Sequence, residues 1–276
     1  IMDRLERAFL GCQKLQEHMR FLLNKGGLYK VYNQNLLYHG CVPLNPDGSL
    51  KSVRIYGKVY KGKALYEVLE SYVRKGFFAL DKKEKERGKD MMWYIWLHEN
   101  SPLFGKDKMA TFERYFLAEK ETHKEKKNPY YEFLENEEVV DRILAEFGLP
   151  GEGTHIVNGH VPVKSKAGES PIKCQGKVLV IDGGFSKAYQ KETGIAGYTL
   201  IYNSYGLILA AHEPFESTEA AIEKESDIHS DSTIVKRVIA RKMVGDTAIG
   251  RELKKRIEDL TWLLESYREG IIAEKI

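Results

Sequence analysis

The chain has 276 residues, 42% hydrophobic, 30% charged and 11% aromatic, enough to bury a sizeable core in one large domain or two small ones. Its 43 basic and 40 acidic residues leave a formal net charge of +3, too small a surplus to point to nucleic acid. No stretch approaches the roughly 18–20 apolar residues of a membrane span; the most apolar, Tyr198 to Ala211, is broken by Asn203, Ser204 and Gly206.

From Asp3 to Leu23, apolar Leu5, Phe9, Leu15, Met19, Leu22 and Leu23 recur on a near-helical period, which predicts one helix ended by Gly26 and Gly27. Tyr29–Tyr32 and Leu36–Tyr38 read as two short strands joined at Asn33-Gln34, a hairpin turn. The second strand runs into His39-Gly40, and Pro43 with Asn45-Pro46-Asp47-Gly48 marks a loop. Val53 to Tyr60 alternates like a single short strand. Lys63–Phe78 and Lys82–Leu97 are predicted helices, the first with Leu65, Val68, Leu69, Tyr72 and Val73 on one face. Thr111–Glu119 reads as a further short helix and Lys120–Lys127 as a solvated charged loop. Asn136 is placed to cap a helix from Glu137 to Phe147, with Glu137 and Glu138 in its first turn.

The period then changes. Thr154–Val157, Lys177–Ile181, Tyr198–Tyr202 and Leu207–Ala211 are strand-like, the last two joined by Asn203-Ser204-Tyr205-Gly206. A final helix is predicted from Thr247 to Glu269. There is no sustained alternation of strand and helix, so the expected fold is α+β or layered α/β. The three cysteines, Cys12, Cys41 and Cys174, are odd in number and far apart, and no signal-peptide pattern opens the chain. The natural expectation is a reduced, cytoplasmic protein.

Three strand ends carry candidate chemistry. Leu36-Leu37-Tyr38-His39-Gly40 and Ile156-Val157-Asn158-Gly159-His160 each put an imidazole at a sheet edge beside a glycine, and imidazole suits zinc, manganese and iron. A packed structural histidine fits the same local pattern, and His155 is read as structural or as support for a ligand. Val178-Leu179-Val180-Ile181-Asp182 ends in a carboxylate. It fits a metal ligand, a partner for a ligating histidine or a turn-forming aspartate. Lys106 and Arg114, in the aromatic segment between the histidines, are candidate phosphate contacts; solvated surface is the alternative for each.

Taken together, the runs Tyr32–Asn45, Glu99–Lys106, Thr111–Phe116, Asn158–Lys164, Gly168–Pro171, Ile181–Gln190 and Gly194–Gly206 closely resemble the class III fructose-1,6-bisphosphatases of Firmicutes. The resemblance extends from the first helix to the last, and Asp182–Gly206 is its most specific part. It implies a calcineurin-like metallophosphoesterase: a β-sandwich flanked by helices, with two metal ions, manganese expected, at the sheet ends. Residues at about 63–147 would then be a helical insertion, and the helix at about 247–269 a terminal addition. His39-Gly40 and Gly159-His160 match the last two of five family motifs, so the resemblance implies that His39 and His160 are metal ligands. The three earlier motifs, Gly-Asp-x-His, Gly-Asp-x-x-Asp-Arg-Gly and Gly-Asn-His, are absent; the only Gly-Asp pair is Gly245-Asp246.

A C-terminal portion of such an enzyme is therefore expected, with its catalytic aspartates upstream of Ile1 and little activity of its own. The activity implied for the complete enzyme is hydrolysis of fructose 1,6-bisphosphate in gluconeogenesis, with no nucleic-acid or membrane partner and homo-oligomerisation left open. A non-catalytic assembly domain and a protein phosphatase of the same superfamily are the competing expectations.

Overall fold

A computed structural model of the chain describes residues 1–182, 190–191, 193–214, 217–223, 225, 230–237 and 241–273. The sequence run 183–189, which continues the Asp182 strand end, lies outside the described residues. The chain divides into two compact units, Ile1–Pro162 with Pro171–Asp182, and Val163–Ser170 with Gly183–Ile276.

The first unit opens with two helices, α1 (Met2–Gly11) and α2 (Gln13–Lys25). The single helix expected over Asp3–Leu23 is broken because Cys12 adopts extended dihedrals. Neither helix contains a buried residue. The far end of α2 is held by Arg74, whose guanidinium donates to the Leu23 and Gly26 carbonyls and pairs with Glu70 at 2.7 Å.

β1 (Tyr29–Tyr32) and β2 (Asn35–Tyr38) form the expected hairpin. Both turn residues have positive φ, 48° at Asn33 and 66° at Gln34, the combination that matches strand twist. Val53–Tyr60 is a second hairpin rather than one strand: β3 (Val53–Ile55) and β4 (Lys58–Tyr60) reverse at Tyr56-Gly57, again with positive φ. Val53 and Ile55 pack with Leu65, Leu69 and Met91 in a buried cluster, built on α3 (Gly62–Phe78) and α4 (Lys82–Leu97). α3 and α4 meet at Gly76 and Gly88, where a Cβ on Gly88 would fall on the Gly76 backbone. After them come α5 (Thr111–Phe116), shorter than expected, and α6 (Glu137–Glu146), capped by Asn136 as the sequence predicts.

β5 (His155–Asn158), β6 (Ile172–Lys173) and β7 (Val178–Val180) complete a five-stranded sheet in the order β1-β2-β5-β7-β6. The inner pairs β2/β5 and β5/β7 are parallel and the outer pairs antiparallel. Parallel neighbours need a long crossover, and the β3/β4 hairpin and helices α3 to α6 occupy the one between β2 and β5. The inner strands are almost wholly buried and correspondingly apolar, with Leu36, Ile156, Val178 and Leu179 at 0% exposure. The mixed α/β class expected from the sequence is therefore present.

In the second unit, β8 (Gly197–Asn203) and β9 (Gly206–His212) form the predicted hairpin over Ser204-Tyr205. A strand absent from the sequence reading, β10 (Ser230–Arg237), adds to β9 with a register shift between Ile234 and Lys236. A short helix α7 (Thr218–Glu223) lies between them in sequence. The last helix, α8 (Ala248–Arg268), is capped by the Thr247 hydroxyl accepting from Gly250 N at 3.0 Å. Its stripe of Leu253, Ile257, Leu260 and Leu264 is exposed. No helix among the described residues is long and apolar enough to cross a membrane.

Two outcomes follow from this packing. Gly88→Ala is expected to lower the melting temperature through overpacking worth about 1–3 kcal/mol, measurable by differential scanning calorimetry; an unchanged melting temperature would show that α3 and α4 do not cross at Gly76 and Gly88. Cys12 is exposed while Cys41 and Cys174 are buried, and burial pushes the Cys41 thiol up to about 12. A thiol reagent at pH 8 should therefore label one cysteine quickly and the other two only on unfolding.

Candidate metal centre

The parallel pairings bring three strand ends together. Leu37 aligns with Val157 and Asn158 with Val180, so the residues just beyond β2, β5 and β7 reach one edge of the sheet. Those residues are His39-Gly40, Gly159-His160 and Ile181-Asp182. The carboxyl ends of parallel strands are where open α/β sheets hold ligands.

Backbone hydrogen bonds then lock the turns to one another. Gly159 N donates to the His39 carbonyl at 2.9 Å, and Ile181 N to the Asn158 carbonyl at 2.9 Å. The Asn158 amide Nδ2 donates to the Gly40 carbonyl at 3.1 Å. Cys41 N donates to the Pro102 carbonyl at 2.9 Å. This last contact draws the chain so close that a Cβ on Gly40 would collide with the Pro102 oxygen. His160 has φ 68°, and Val161 N donates back to the Gly159 carbonyl at 2.9 Å. That is a γ-turn of the rare, strained hand, a conformation costing on the order of 1–3 kcal/mol.

The two imidazoles meet. His39 Nε2 lies 3.0 Å from His160 Nδ1, with ring centroids 4.8 Å apart and planes at 68°. The other His160 nitrogen, Nε2, is 2.8 Å from the Phe104 carbonyl. A carbonyl only accepts, so in the neutral ring Nε2 carries the proton and Nδ1 turns its lone pair toward His39. A neutral His39 with its proton on Nε2 donates to that lone pair in an ordinary N–H···N hydrogen bond; with both nitrogens unprotonated, a metal ion between them would take the proton's place. Two nitrogens bound at about 2.0–2.1 Å to one ion are separated by roughly 3.0–3.4 Å, and the pair fits that spacing. Burial lowers the His160 pKa, with His39 and Lys106 acting in the same direction and the Phe104 hydrogen bond and Asp182 opposing. The ring is thereby kept in the neutral, ligating form at neutral pH.

Asp182 flanks the pair: its Oδ2 is 3.8 Å from where a Cβ on Gly159 would stand, and its charge is felt by His160. Among the described residues no group of three or more His, Cys, Asp or Glu side chains is arranged to hold a metal ion. The residues present thus fit a metal as two of its ligands. His155, by contrast, is buried and bonds the Gly176 carbonyl at 2.8 Å, a structural role.

Lys106 and Arg114 both converge on Glu125, at 2.9 and 3.3 Å. Burial opposes the Glu125 charge, but the Lys106 and Ala110 hydrogen bonds and Arg114 together hold its carboxyl below the usual range. The segment Lys120–Lys127 is accordingly not a plain solvated loop. It contains a 3-10 turn at Lys120–His123, and Asp107 N bonds the Lys126 carbonyl at 2.9 Å. A single half-buried carboxylate with two cations on it is what the sequence reading missed.

Two further contributors escaped that reading. Phe104 acts through its carbonyl, which no residue type reveals. Asn158 stands inside a quoted motif, but its tie to Gly40 depends on the tertiary pairing. Gly40→Ala is expected to cost about 1–3 kcal/mol, seen as a lower urea midpoint with an unchanged m-value. An unaltered midpoint would mean that the Pro102 carbonyl does not pack against this turn.

Comparison with known proteins bears on what this geometry serves. The family model described as Firmicute fructose-1,6-bisphosphatase matches residues 1–269. The chain is 58% identical over 275 residues to "Fructose-1,6-bisphosphatase class 3" of Clostridioides difficile (strain 630), covering 99% of this chain and 42% of the relative. It is 55% identical over 276 residues to the protein of the same name from Clostridium novyi (strain NT), covering 100% of this chain and 42% of that relative. The chain therefore spans about 42% of the length of the curated relatives it matches. No solved structure matches it.

Proposed function

The chain belongs to the Firmicute fructose-1,6-bisphosphatase family, and on that premise we propose that it supplies part of a divalent-metal site for hydrolysis of fructose 1,6-bisphosphate to fructose 6-phosphate and phosphate. The observation that carries this reading is the approach of His39 Nε2 to His160 Nδ1 at 3.0 Å, with the His160 tautomer set by the Phe104 carbonyl. The ion proposed is manganese, in a two-metal site of the calcineurin-like kind, which the sheet and its helical crossover would frame. Bound there, such ions lower the pKa of a coordinated water and neutralise phosphate oxygens.

The chain's own residues have distinct tasks in this reading. His39 and His160 present two neutral imidazole nitrogens from turns fixed by the sheet. The Phe104 carbonyl orients the His160 ring, as hydrogen-bond partners of ligating histidines do. Asp182 adds negative charge beside the pair and so favours a cation there. Lys106 and Arg114 are proposed as phosphate contacts, with Glu125 holding them side by side; a phosphate would exchange for that carboxylate, and the guanidinium fork suits both. Gluconeogenesis in the cytoplasm is the setting proposed for this chemistry.

A second reading, an assembly module, draws on the exposed apolar stripe of α8 and on α1 and α2, in which no residue is buried. It is compatible with the first, since helix faces and strand ends are different parts of the chain. A protein phosphatase is less well supported, because the relatives' names specify the sugar bisphosphate.

Two imidazoles make an incomplete coordination sphere, so the 276-residue chain alone should release no phosphate from fructose 1,6-bisphosphate above background with manganese present. Isothermal titration with Mn2+ or Zn2+ should find one weak site, lost in His39→Ala and in His160→Ala. Binding that survives both substitutions would remove the pair from the metal site. Turnover by the chain that disappears in His39→Ala would overturn the two-ligand limit.

A further inference from the structure

Asn158 ends the central strand β5 and is 2% exposed. Asparagine is disfavoured in strands, and its neighbours Ile156 and Val157 are the apolar residues a buried parallel strand calls for. Packing alone does not account for it. Its Oδ1 is buried without a hydrogen-bond partner among the described residues, an arrangement that an apolar side chain of the same size would avoid. What asparagine provides is the donor: Nδ2 bonds the Gly40 carbonyl at 3.1 Å. Since that carbonyl only accepts, the amide orientation is settled.

This bond reaches across two elements that meet at the candidate centre. Asn158 is two residues before His160, and Gly40 immediately follows His39. The main chain of Asn158 also accepts from Ile181 N, which leads into Asp182. Gly40 has no side chain to anchor it, and His39 is exposed, so little packing holds the His39 ring in place. Among the described residues the His39 turn is held by Gly159 N donating to the His39 carbonyl, Cys41 N to the Pro102 carbonyl, the Tyr66 hydroxyl to the Cys41 carbonyl and the Asn158 amide to the Gly40 carbonyl. Of these, the Asn158 bond is the one that a side chain makes to the His39-Gly40 main chain itself.

We infer that Asn158 is a positioning residue: by anchoring the Gly40 carbonyl, its amide sets the 3.0 Å approach of His39 Nε2 to His160 Nδ1 on which metal capture by the pair depends. The inference rests on the metal-site reading of that pair, but the spacing can be measured without any metal.

The test compares the 276-residue chain with Asn158→Asp, which faces the carbonyl with a carboxylate, and Asn158→Leu, which keeps the bulk and removes the donor. Val157→Ala, a core truncation on the same strand, is the control for a purely structural effect. In 15N-labelled, metal-free protein, the scalar coupling between the two imidazole nitrogens across their hydrogen bond reports the spacing; zinc titration reports capture. Wild type and Val157→Ala should show the coupling, and both Asn158 variants should lose it while circular dichroism stays native. Zinc affinity should fall roughly 10–100-fold in the Asn158 variants, the range found when partners that orient ligands are removed. Absence of the coupling in wild type, its persistence in either Asn158 variant, its loss in Val157→Ala, or unchanged zinc affinity in the Asn158 variants would overturn the inference. If the coupling follows Asn158 as expected but wild type takes up no zinc, the positioning role stands and the metal-site reading fails.

Discussion

Everything at the candidate centre depends on the parallel register of β2, β5 and β7. Antiparallel neighbours would send successive strand ends to opposite edges. Here Leu37 beside Val157 and Asn158 beside Val180 deliver His39, His160 and Asp182 to one edge. The register is strongly specified, because a slip of one residue would turn the buried faces of these apolar strands toward the wrong layer. The chemistry is thus positioned by the buried strands of the unit, and the crossover between β2 and β5 brings the Pro102 and Phe104 carbonyls to the same edge.

That arrangement carries local costs. His160 is held in a left-handed conformation that its side chain disfavours, and Gly40 is pressed against the Pro102 carbonyl. The strained turn at His160 and the close approach at Gly40 both adjoin the imidazole pair. The 98–105 segment offsets them. Ser101 is fully buried and bonds the Ile95 carbonyl at 2.5 Å, stiffening a loop whose carbonyls at Pro102 and Phe104 receive Cys41 N and the His160 ring. Backbone strain concentrated where two potential ligands converge is the pattern expected of a functional site.

Much of the local structure was legible in advance, for identifiable reasons. Asn33 turns with a positive φ that asparagine tolerates, and the second hairpin turns where the Asn203 side chain accepts from Tyr205 N and Gly206 takes a positive φ. Asn136 caps its helix as expected because its side-chain oxygen satisfies a free N–H group, and the last helix starts one residue past Thr247, its expected first residue, which caps it instead. The failures are equally physical. Leu5 to Leu23 keeps a helical period through Cys12, so periodicity could not place the break there. Val53–Tyr60 alternates correctly, but its reversal at Tyr56-Gly57 carries a tyrosine in the left-handed region, which turn statistics do not favour. Lys106 and Arg114 were singled out as cations, yet the carboxylate that joins them, Glu125, sits inside a charge run indistinguishable from solvated surface.

The sequence by itself determined the mixed fold class, the strand ends at His39, His160 and Asp182, and the family, because these reside in local pattern and contiguous runs. Only the tertiary structure decided that the two imidazoles meet at 3.0 Å, that Phe104 selects the His160 tautomer, and that Asn158 ties the turns together. Each of these is a contact between residues far apart in the chain, and the last two are made through backbone carbonyls that every residue type shares. No residue letter encodes such a contact; it arises when parallel strands align and the loop at 98–105 closes against their ends.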